Sequence, residues 1–180
     1  MVEEAAVTPA DATALRVSAK AYLRIGHAED DSPTQEAALA AFNLCEAFIG
    51  QLLIARNCTE IIEASGTWVR LRRSPVAAIT AVDQILEEGT PSPLAADLYA
   101  MDIDVTGDGW VRVAGNGVFK RARVHYRAGL AADWESAPAG LRQGVVRLAA
   151  HLFAQRDAGA ASAPPAAVTA LWRPWRRVRL

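Results

Sequence analysis

The sequence predicts an α+β fold that is mainly α: a helical bundle with a small antiparallel β insertion and an extended C-terminal arm. Alanine occupies 38 of the 180 positions, and it favours helices that pack closely together. Apolar residues recur at helical spacing up to about residue 56 and after residue 138, whereas they alternate in between. The last nine residues contain four arginines and two tryptophans around a proline, a segment too short to form its own core.

Start signals define the first two helices. Thr8 precedes Pro9 and an acidic residue, as at a capped helix N-terminus, so we expect a helix over about 9–25. The capping-box pattern Ser32–Gln35 predicts a second helix over about 33–56. The expected buried stripe of this second helix consists of Leu39, Phe42, Cys45, Ile49 and Leu52.

The middle of the chain, about 59–127, has the patterns of short strands. Ile61–Leu71 reads as two strands divided at Ser65-Gly66, and alternation resumes over Ile79–Leu86. Residues Glu87–Pro93 are rich in turn formers and predict an exposed loop. Beyond that loop, Asp108-Gly109 indicates a hairpin. The strands predicted around and after this hairpin are Leu98–Val105, Trp110–Val113 and Val118–Arg127.

Helical spacing returns with Pro138, which predicts a third helix over about 138–156. An Ala/Pro-rich linker then leads to a short helix over about 166–172 and to the arm. We therefore expect a domain over 1–157, followed over 158–180 by the linker, the short helix and the C-terminal arm.

Charge is distributed unevenly along the chain. Residues 1–60 carry nine acidic and four basic side chains, whereas residues 111–180 carry three acidic and twelve basic ones. Such a chain can associate head to tail or present one end to an acidic partner, although ordinary solvated surface charge explains the pattern equally well.

The start of the chain lacks the basic and apolar runs of a signal peptide, and polar residues interrupt the most apolar stretch, Ala37–Ala55. Cys45 and Cys58 show neither a disulfide framework nor zinc spacing. These features predict a soluble protein made in a reducing cytoplasm, with no membrane partner.

No motif for catalysis, a metal or a cofactor is found, so we expect a protein that is not an enzyme. Asp102–Gly107 is similar to the start of a calcium loop, but Val113 stands where the loop needs glutamate, so a polar turn is the better interpretation. The histidines, His27, His125 and His151, are scattered along the chain.

Basic residues could contact nucleic-acid phosphates without reading sequence. The candidates outside the arm are Lys120, Arg121 and Arg123. One functional hypothesis is therefore a small DNA-associated or regulatory protein that uses its basic C-terminal half.

The arm itself points to protein contacts, because Trp and Arg are enriched where proteins anchor into one another. Trp172 and Trp175 lie in a span too short to bury them, so something else must cover their rings. The cover is either the chain's own domain or a partner protein, and the sequence alone leaves both open.

Several segments, in this order, resemble the head–tail connector, or adaptor, proteins of long-tailed phages and phage-derived gene transfer agents. The most specific is the ending Val168–Leu180, a short helix, a proline, an aromatic residue and Arg-Arg-Val-Arg-Leu. The other matching segments are Ala21–Ile25, Ser74–Val82, Asp97–Tyr99, Val124–Gly129 and Pro138–Gln143. The chain departs from the family at Trp172, where a smaller aliphatic residue is more common.

The resemblance implies a structural subunit of a twelve-fold ring beneath the portal of a virion or virus-like particle assembled in the bacterial cytoplasm. Such a ring extends the DNA channel and offers a platform to a stopper or tail-side connector protein, so non-specific DNA passes through it. Lys120, Arg121 and Arg123 would then face the channel or the DNA. The residues implied in docking to the portal or to neighbouring copies are Leu171, Trp172, Arg173, Trp175, Arg176, Arg177, Arg179 and Leu180.

Overall fold

The computed structural model describes residues 2–86, 89–115, 119–156 and 164–177. The chain divides into two compact units. The β unit consists of Met1–Ala6 and Ala55–Leu130, and the helical unit consists of Val7–Ile54 and Ala131–Leu180. The domain boundary predicted at residues 157 and 158 lies outside the described residues.

The helical unit contains α1 (Pro9–Leu23), α2 (Asp31–Ile49), α3 (Ala139–Ala154) and α4 (Ala166–Trp172). The hydroxyl of Thr8 accepts the backbone N–H of Asp11 at 3.1 Å, which caps α1 where the sequence pattern indicates. α2 ends at Ile49, well before the predicted end near Arg56. Gly50 turns the backbone into the left-handed region with φ 69°, and its N–H is bonded to the carbonyl of Glu46.

Apolar side chains from all four helices form the core of the helical unit, among them Leu15, Phe42, Leu148 and Val168. Trp134, in the loop before α3, is also buried. Its backbone N–H donates to the carboxylate of Asp11 at 2.9 Å, and its indole N–H donates to the hydroxyl of Ser18 at 2.9 Å. Because these bonds satisfy its polar groups, the large ring can close the core between α1 and α3 without an unpaired donor.

Trp172 joins α4 to this core. Its side chain has no exposed surface, its ring centroid lies 5.8 Å from that of Phe48, and its indole N–H points at the carbonyl of Leu141 at 3.4 Å. A Cβ built on Gly144 of α3 would lie 2.1 Å from the indole nitrogen. The indole therefore fills the space that a side chain at position 144 would occupy.

The β unit contains two antiparallel sheets. The larger sheet has the strand order β1-β2-β8-β4-β5, and the smaller has the order β3-β7-β6. Their strands are β1 (Val2–Glu4), β2 (Arg56–Glu63), β3 (Ser65–Arg70), β4 (Val76–Ile85), β5 (Pro91–Pro93), β6 (Tyr99–Ile103), β7 (Gly109–Ala114) and β8 (Arg121–Ala128).

The core of the β unit receives alternate residues of these strands, such as Val111 from the smaller sheet and Val124 from the larger. A carboxylate is buried there with its partners. Glu60 accepts hydrogen bonds from the Tyr126 hydroxyl at 3.2 Å and from the Arg72 N–H at 2.9 Å. Burial, reinforced by the negative charge of Glu60, raises the pKa of Tyr126.

The prediction of a mainly α helical bundle with a small β insertion is wrong. The described residues form an α+β fold with 38% helix, 31% strand and eight strands. The section predicted as strands, about 59–127, was taken for a small insertion, whereas among the described residues it forms two sheets together with β1. Two short edge strands, β1 and β5, were also missed, since three residues are too few to show alternation.

The turn between β6 and β7 is organised by one carboxylate. Asp104 accepts the backbone N–H groups of Thr106 at 2.8 Å and of Asp108 at 3.0 Å, and the indole N–H of Trp110 at 3.0 Å. Together with the bond from the Thr106 hydroxyl, these contacts hold the pKa of Asp104 well below its usual range. The hairpin predicted from Asp108-Gly109 is thus present, with a loop over 104–108.

We predict that Gly144→Ala destabilises the protein by about 1–3 kcal/mol, because the added methyl group overlaps the Trp172 indole and overpacks the core. Denaturant unfolding followed by tryptophan fluorescence measures this. Gly26→Ala is the matched control, since a Cβ there meets nothing within 4 Å, and it should be close to neutral. Equal stability of both variants would contradict the packing described for Trp172.

We also predict that the stability difference between the wild type and Asp104→Ala shrinks in acid. A carboxyl whose folded pKa is depressed stabilises the fold above its unfolded pKa, near 4, and that contribution is lost as the pH falls through the folded pKa. Unfolding curves of both proteins, recorded from neutral pH down to below about pH 3, test this. A difference that stays constant over that range would show that the ionised carboxylate does not stabilise the turn.

Candidate docking surface and basic strand

The C-terminal segment lies against its own helical unit. α4 buries Val168 and Trp172, and a 3₁₀ turn over Arg173–Trp175 follows it. The sequence left open whether the chain's own domain or a partner protein covers Trp172, and the structure shows that the chain's own domain does. Leu171 is half-buried, while Arg179 and Leu180 lie outside the described residues.

Two hydrogen bonds tie the backbone of this segment to the end of α2. The side-chain amide of Gln51 donates to the carbonyl of Trp175 at 2.7 Å, and the N–H of Arg177 donates to the carbonyl of Ile49 at 2.8 Å. A Cβ on Gly50 would lie 3.0 Å from the carbonyl oxygen of Arg177. The C-terminal segment is thus fixed along its backbone, and only its side chains are available to a partner.

The exposed side chains of this segment include Arg173, Trp175 with 36% of its surface accessible, and Arg176. The guanidinium of Arg176 lies over the ring of Phe48 at 5.6 Å from its centroid. Leu44, one helical turn before Phe48 on α2, is 44% exposed. We call Leu44, Phe48, Arg173, Trp175 and Arg176 the docking surface.

The docking surface combines apolar area with charge. Its two arginines can make paired hydrogen bonds to carboxylates, and its indole and leucine offer apolar contact. Leu44 was not anticipated, because the predicted stripe of α2 lies on its buried side. Leu44 is an apolar residue outside the predicted buried stripe, and this position could have identified it as an exposed contact residue.

The predicted basic residues lie at and beside β8, the central strand of the larger sheet. Arg121 and Arg123 occupy alternate positions on the outward face, and Lys120 is exposed just before the strand. The structure adds His125 and Arg127 to the same face, since residues two apart share a side of a strand and lie about 7 Å from each other. We call Arg121, Arg123, His125 and Arg127 the basic row.

The basic row is partly neutralised by neighbouring strands. Glu63 of β2 is the register partner of Arg121, and Asp83 of β4 is that of Arg123. The Nε2 atom of His125 lies 3.0 Å from a carboxylate oxygen of Asp83, and its Nδ1 lies 3.4 Å from the Thr59 hydroxyl. The row is therefore suited to weak contacts with phosphates rather than to tight binding.

In the part of the chain that the structure describes, the residue types that bind metals lie apart from one another. There, no three His, Cys, Asp or Glu side chains come together as a metal could require. The Nε2 atom of His27 lies 3.5 Å from a carboxylate oxygen of Asp30 in the helical unit, and His27 is far in sequence from His125 in the β unit. Burial raises the pKa of the Cys45 thiol, which keeps it protonated and unreactive.

Over the same described ranges, the helices are all too short or too polar to cross a lipid bilayer.

No protein-family model and no curated protein sequence matches the chain. Solved structures, by contrast, do match the chain. A chain in the neck of an empty gene transfer agent particle, computed with C6 symmetry, has a TM-score of 0.78 and 28% sequence identity. A chain in the neck of the native particle, computed with C12 symmetry, has a TM-score of 0.76 and 28% identity.

A chain from the virion of a native gene transfer agent particle has a TM-score of 0.75 and 27% identity. In all three comparisons the similarity covers 100% of this chain and 97% of the other. The agreement extends through both the β unit and the helical unit. The similarity therefore supports a phage-derived structural protein and assigns it to the head–tail junction of a virion or virus-like particle.

Proposed function

We propose that this protein is a head–tail adaptor subunit that forms a ring beneath the portal and connects the head to the tail components. The observation that carries the proposal is the full-length similarity to neck chains, with a TM-score of 0.78. Twelve copies form the ring, in line with the C12 symmetry of one of those necks. The next partner along the axis is a stopper or tail-side connector protein.

A ring requires contacts of a particular type. Neighbours related by rotation meet through two different surfaces, one from each copy, and the same pair of surfaces repeats until the ring closes. Each subunit must also present a surface to the portal. The docking surface suits these contacts, because its arginines and its exposed indole are held on a fixed backbone and lose little freedom on binding.

The basic row faces the DNA channel in this proposal. Its charges can contact passing phosphates without specificity, and the acidic register partners keep such contacts weak. Weak contact suits a channel, since DNA must move through it. The protein has no catalytic role in this proposal: it acts by binding and by shape.

The second candidate is a small DNA-associated or regulatory protein, and the basic row is the observation that favours it. The two functions differ in what the isolated protein does. A DNA-associated protein binds duplex DNA tightly as a monomer, whereas an isolated adaptor binds DNA only weakly and depends on assembly with other proteins.

We predict that Arg173→Glu combined with Arg176→Glu weakens binding to the portal about 100-fold or more. A hydrogen bond to a charged group contributes about 1.5–3 kcal/mol, and each 1.4 kcal/mol is about a factor of ten in affinity. Co-sedimentation of the purified full chain with portal rings measures this. The substitutions keep Trp172, whereas deletion of everything after Ala170 would remove a core residue and confuse folding with docking.

The matched control is Arg147→Glu, an exposed arginine on α3 of the same unit. It should bind portal rings as the wild type does. If the double variant also binds normally, the docking surface is not the portal contact.

For the basic row we predict weak, salt-sensitive binding of duplex DNA by the isolated protein, with a dissociation constant of about 10⁻⁴–10⁻⁶ M. Replacing Arg121, Arg123 and Arg127 with Gln should reduce the slope of log affinity against log salt by up to about three, since each phosphate contact contributes about 0.9. Fluorescence anisotropy with a labelled duplex measures both quantities, and Arg147→Gln is the control. Nanomolar binding by the monomer would instead support the DNA-associated function.

A further inference from the structure

We propose that a groove on the smaller sheet, formed by Trp68, Trp110 and Asp102, binds an arginine side chain from the C-terminal segment of a neighbouring copy. The inference rests on the proposed ring and identifies one surface of its subunit contact. The groove lies wholly within the β unit, and the arginine comes from the helical unit of another molecule.

The strand register brings the three residues together. Trp110 of β7 is directly opposite Asp102 of β6, and Trp68 of β3 is the partner of Arg112, two residues along β7 from Trp110. All three side chains therefore lie on one face of the sheet. They line an open groove of about 310 Å³, a space suited to one side chain rather than to a peptide.

The groove has the chemistry of a guanidinium site. The guanidinium of Arg112 in the same sheet lies over the Trp68 ring at 5.3 Å from its centroid, and Trp68 is still 44% exposed, so a partner's guanidinium can contact the part of the indole that Arg112 does not cover. The indole N–H of Trp110 is bonded to Asp104, which fixes the ring and leaves its face open to contact. The side chain of Asp102 is exposed, and its carboxylate makes no hydrogen bond or ion pair among the described residues.

Cationic side chains bind best where an aromatic face and a carboxylate act together, because the ring attracts the charge and the carboxylate accepts its hydrogen bonds. Arg70 does not supply that cation, since its guanidinium pairs with Asp108 at 3.6 Å. The groove therefore combines two aromatic rings with a carboxylate that is free to accept a partner's charge.

The occupant is an arginine of a second copy for three reasons. The chain has 19 basic residues, of which Lys20 and Lys120 are the two lysines, so arginine is the cation it offers. Arg173 and Arg176 are exposed on a segment whose backbone is fixed to α2. Among the described residues, neither forms an ion pair, so one of them can contribute its charge to a neighbour's carboxylate while the other remains available to the portal. A contact between two different surfaces is also the type that closes a ring.

The first experiment uses N-acetyl-L-arginine amide as a probe for the groove. It is titrated into the full-length protein while NMR follows the indole N–H signals of Trp68 and Trp110. We expect saturable shifts of both signals, with affinity reduced at least fivefold in Asp102→Asn and in Trp68→Ala. N-acetyl-L-glutamine amide is the uncharged control. Both indole signals remaining unchanged, or equal shifts with the glutamine compound, would overturn the guanidinium site.

The second experiment identifies the occupant in assembled particles. Cysteine replaces Asp102 and either Arg173 or Arg176 in the full chain, and a short bismaleimide links nearby thiols. Cys45 and Cys58 are buried and should not react. We expect a ladder of dimers and larger multiples from at least one double variant, and none from the single variants.

The outcomes separate the two proposals. If necks contain the protein but neither double variant forms a ladder, the inference is overturned while the adaptor function stands. Links to a different protein alone would also overturn it, since the occupant would not be a second copy. If the wild-type protein is absent from purified particles, the proposed function itself fails.

Discussion

The contact between Trp172 and Gly144 is the constraint on which the C-terminal half of the helical unit depends. The indole of Trp172 occupies space that is available because Gly144 has no side chain. The indole also contacts the ring of Phe48 and the carbonyl of Leu141. This contact brings α4 against α3 and determines where the following residues run. The bonds from Gln51 and Arg177 to the neighbouring backbone then hold the segment beside the end of α2. The C-terminal segment, which the sequence predicts as an extended arm, is therefore held against its own helical unit.

That rigidity changes how the Arg/Trp-rich ending can function. Trp172 contributes to stability, and Trp175 with the arginines at 173 and 176 remains for contacts. A partner that binds pre-positioned side chains pays less conformational entropy than one that must order a flexible tail. The internal packing of Trp172 against Gly144 thus positions the exposed arginines at 173 and 176.

In the β unit, local sequence patterns predicted the central hairpin but not the full extent of the sheets. The hairpin turn was predictable, because Asp108-Gly109 has a strong local preference and Asp104 organises the loop from four residues away. The extent of the sheets was not, because the three-residue edge strands β1 and β5 are recognisable only through their pairing with β2 and β4. The groove of Trp68, Trp110 and Asp102 could not be predicted either. Its members come from three strands, and register alone makes them neighbours.

By itself the sequence determined the α4 segment, the helix starts, the central hairpin and the resemblance of the ending to phage-derived structural proteins, because each depends on residues close together in the chain. Arg121 and Arg123 were likewise identified as basic residues of a predicted strand, and both lie on the outward face of β8. Only the tertiary structure decided that Trp172 is internal and that Phe48, one helical turn after the exposed Leu44, lies beneath the guanidinium of Arg176. These features depend on contacts between residues distant in sequence. Burial is a property of the whole packed unit, and no local pattern contains it.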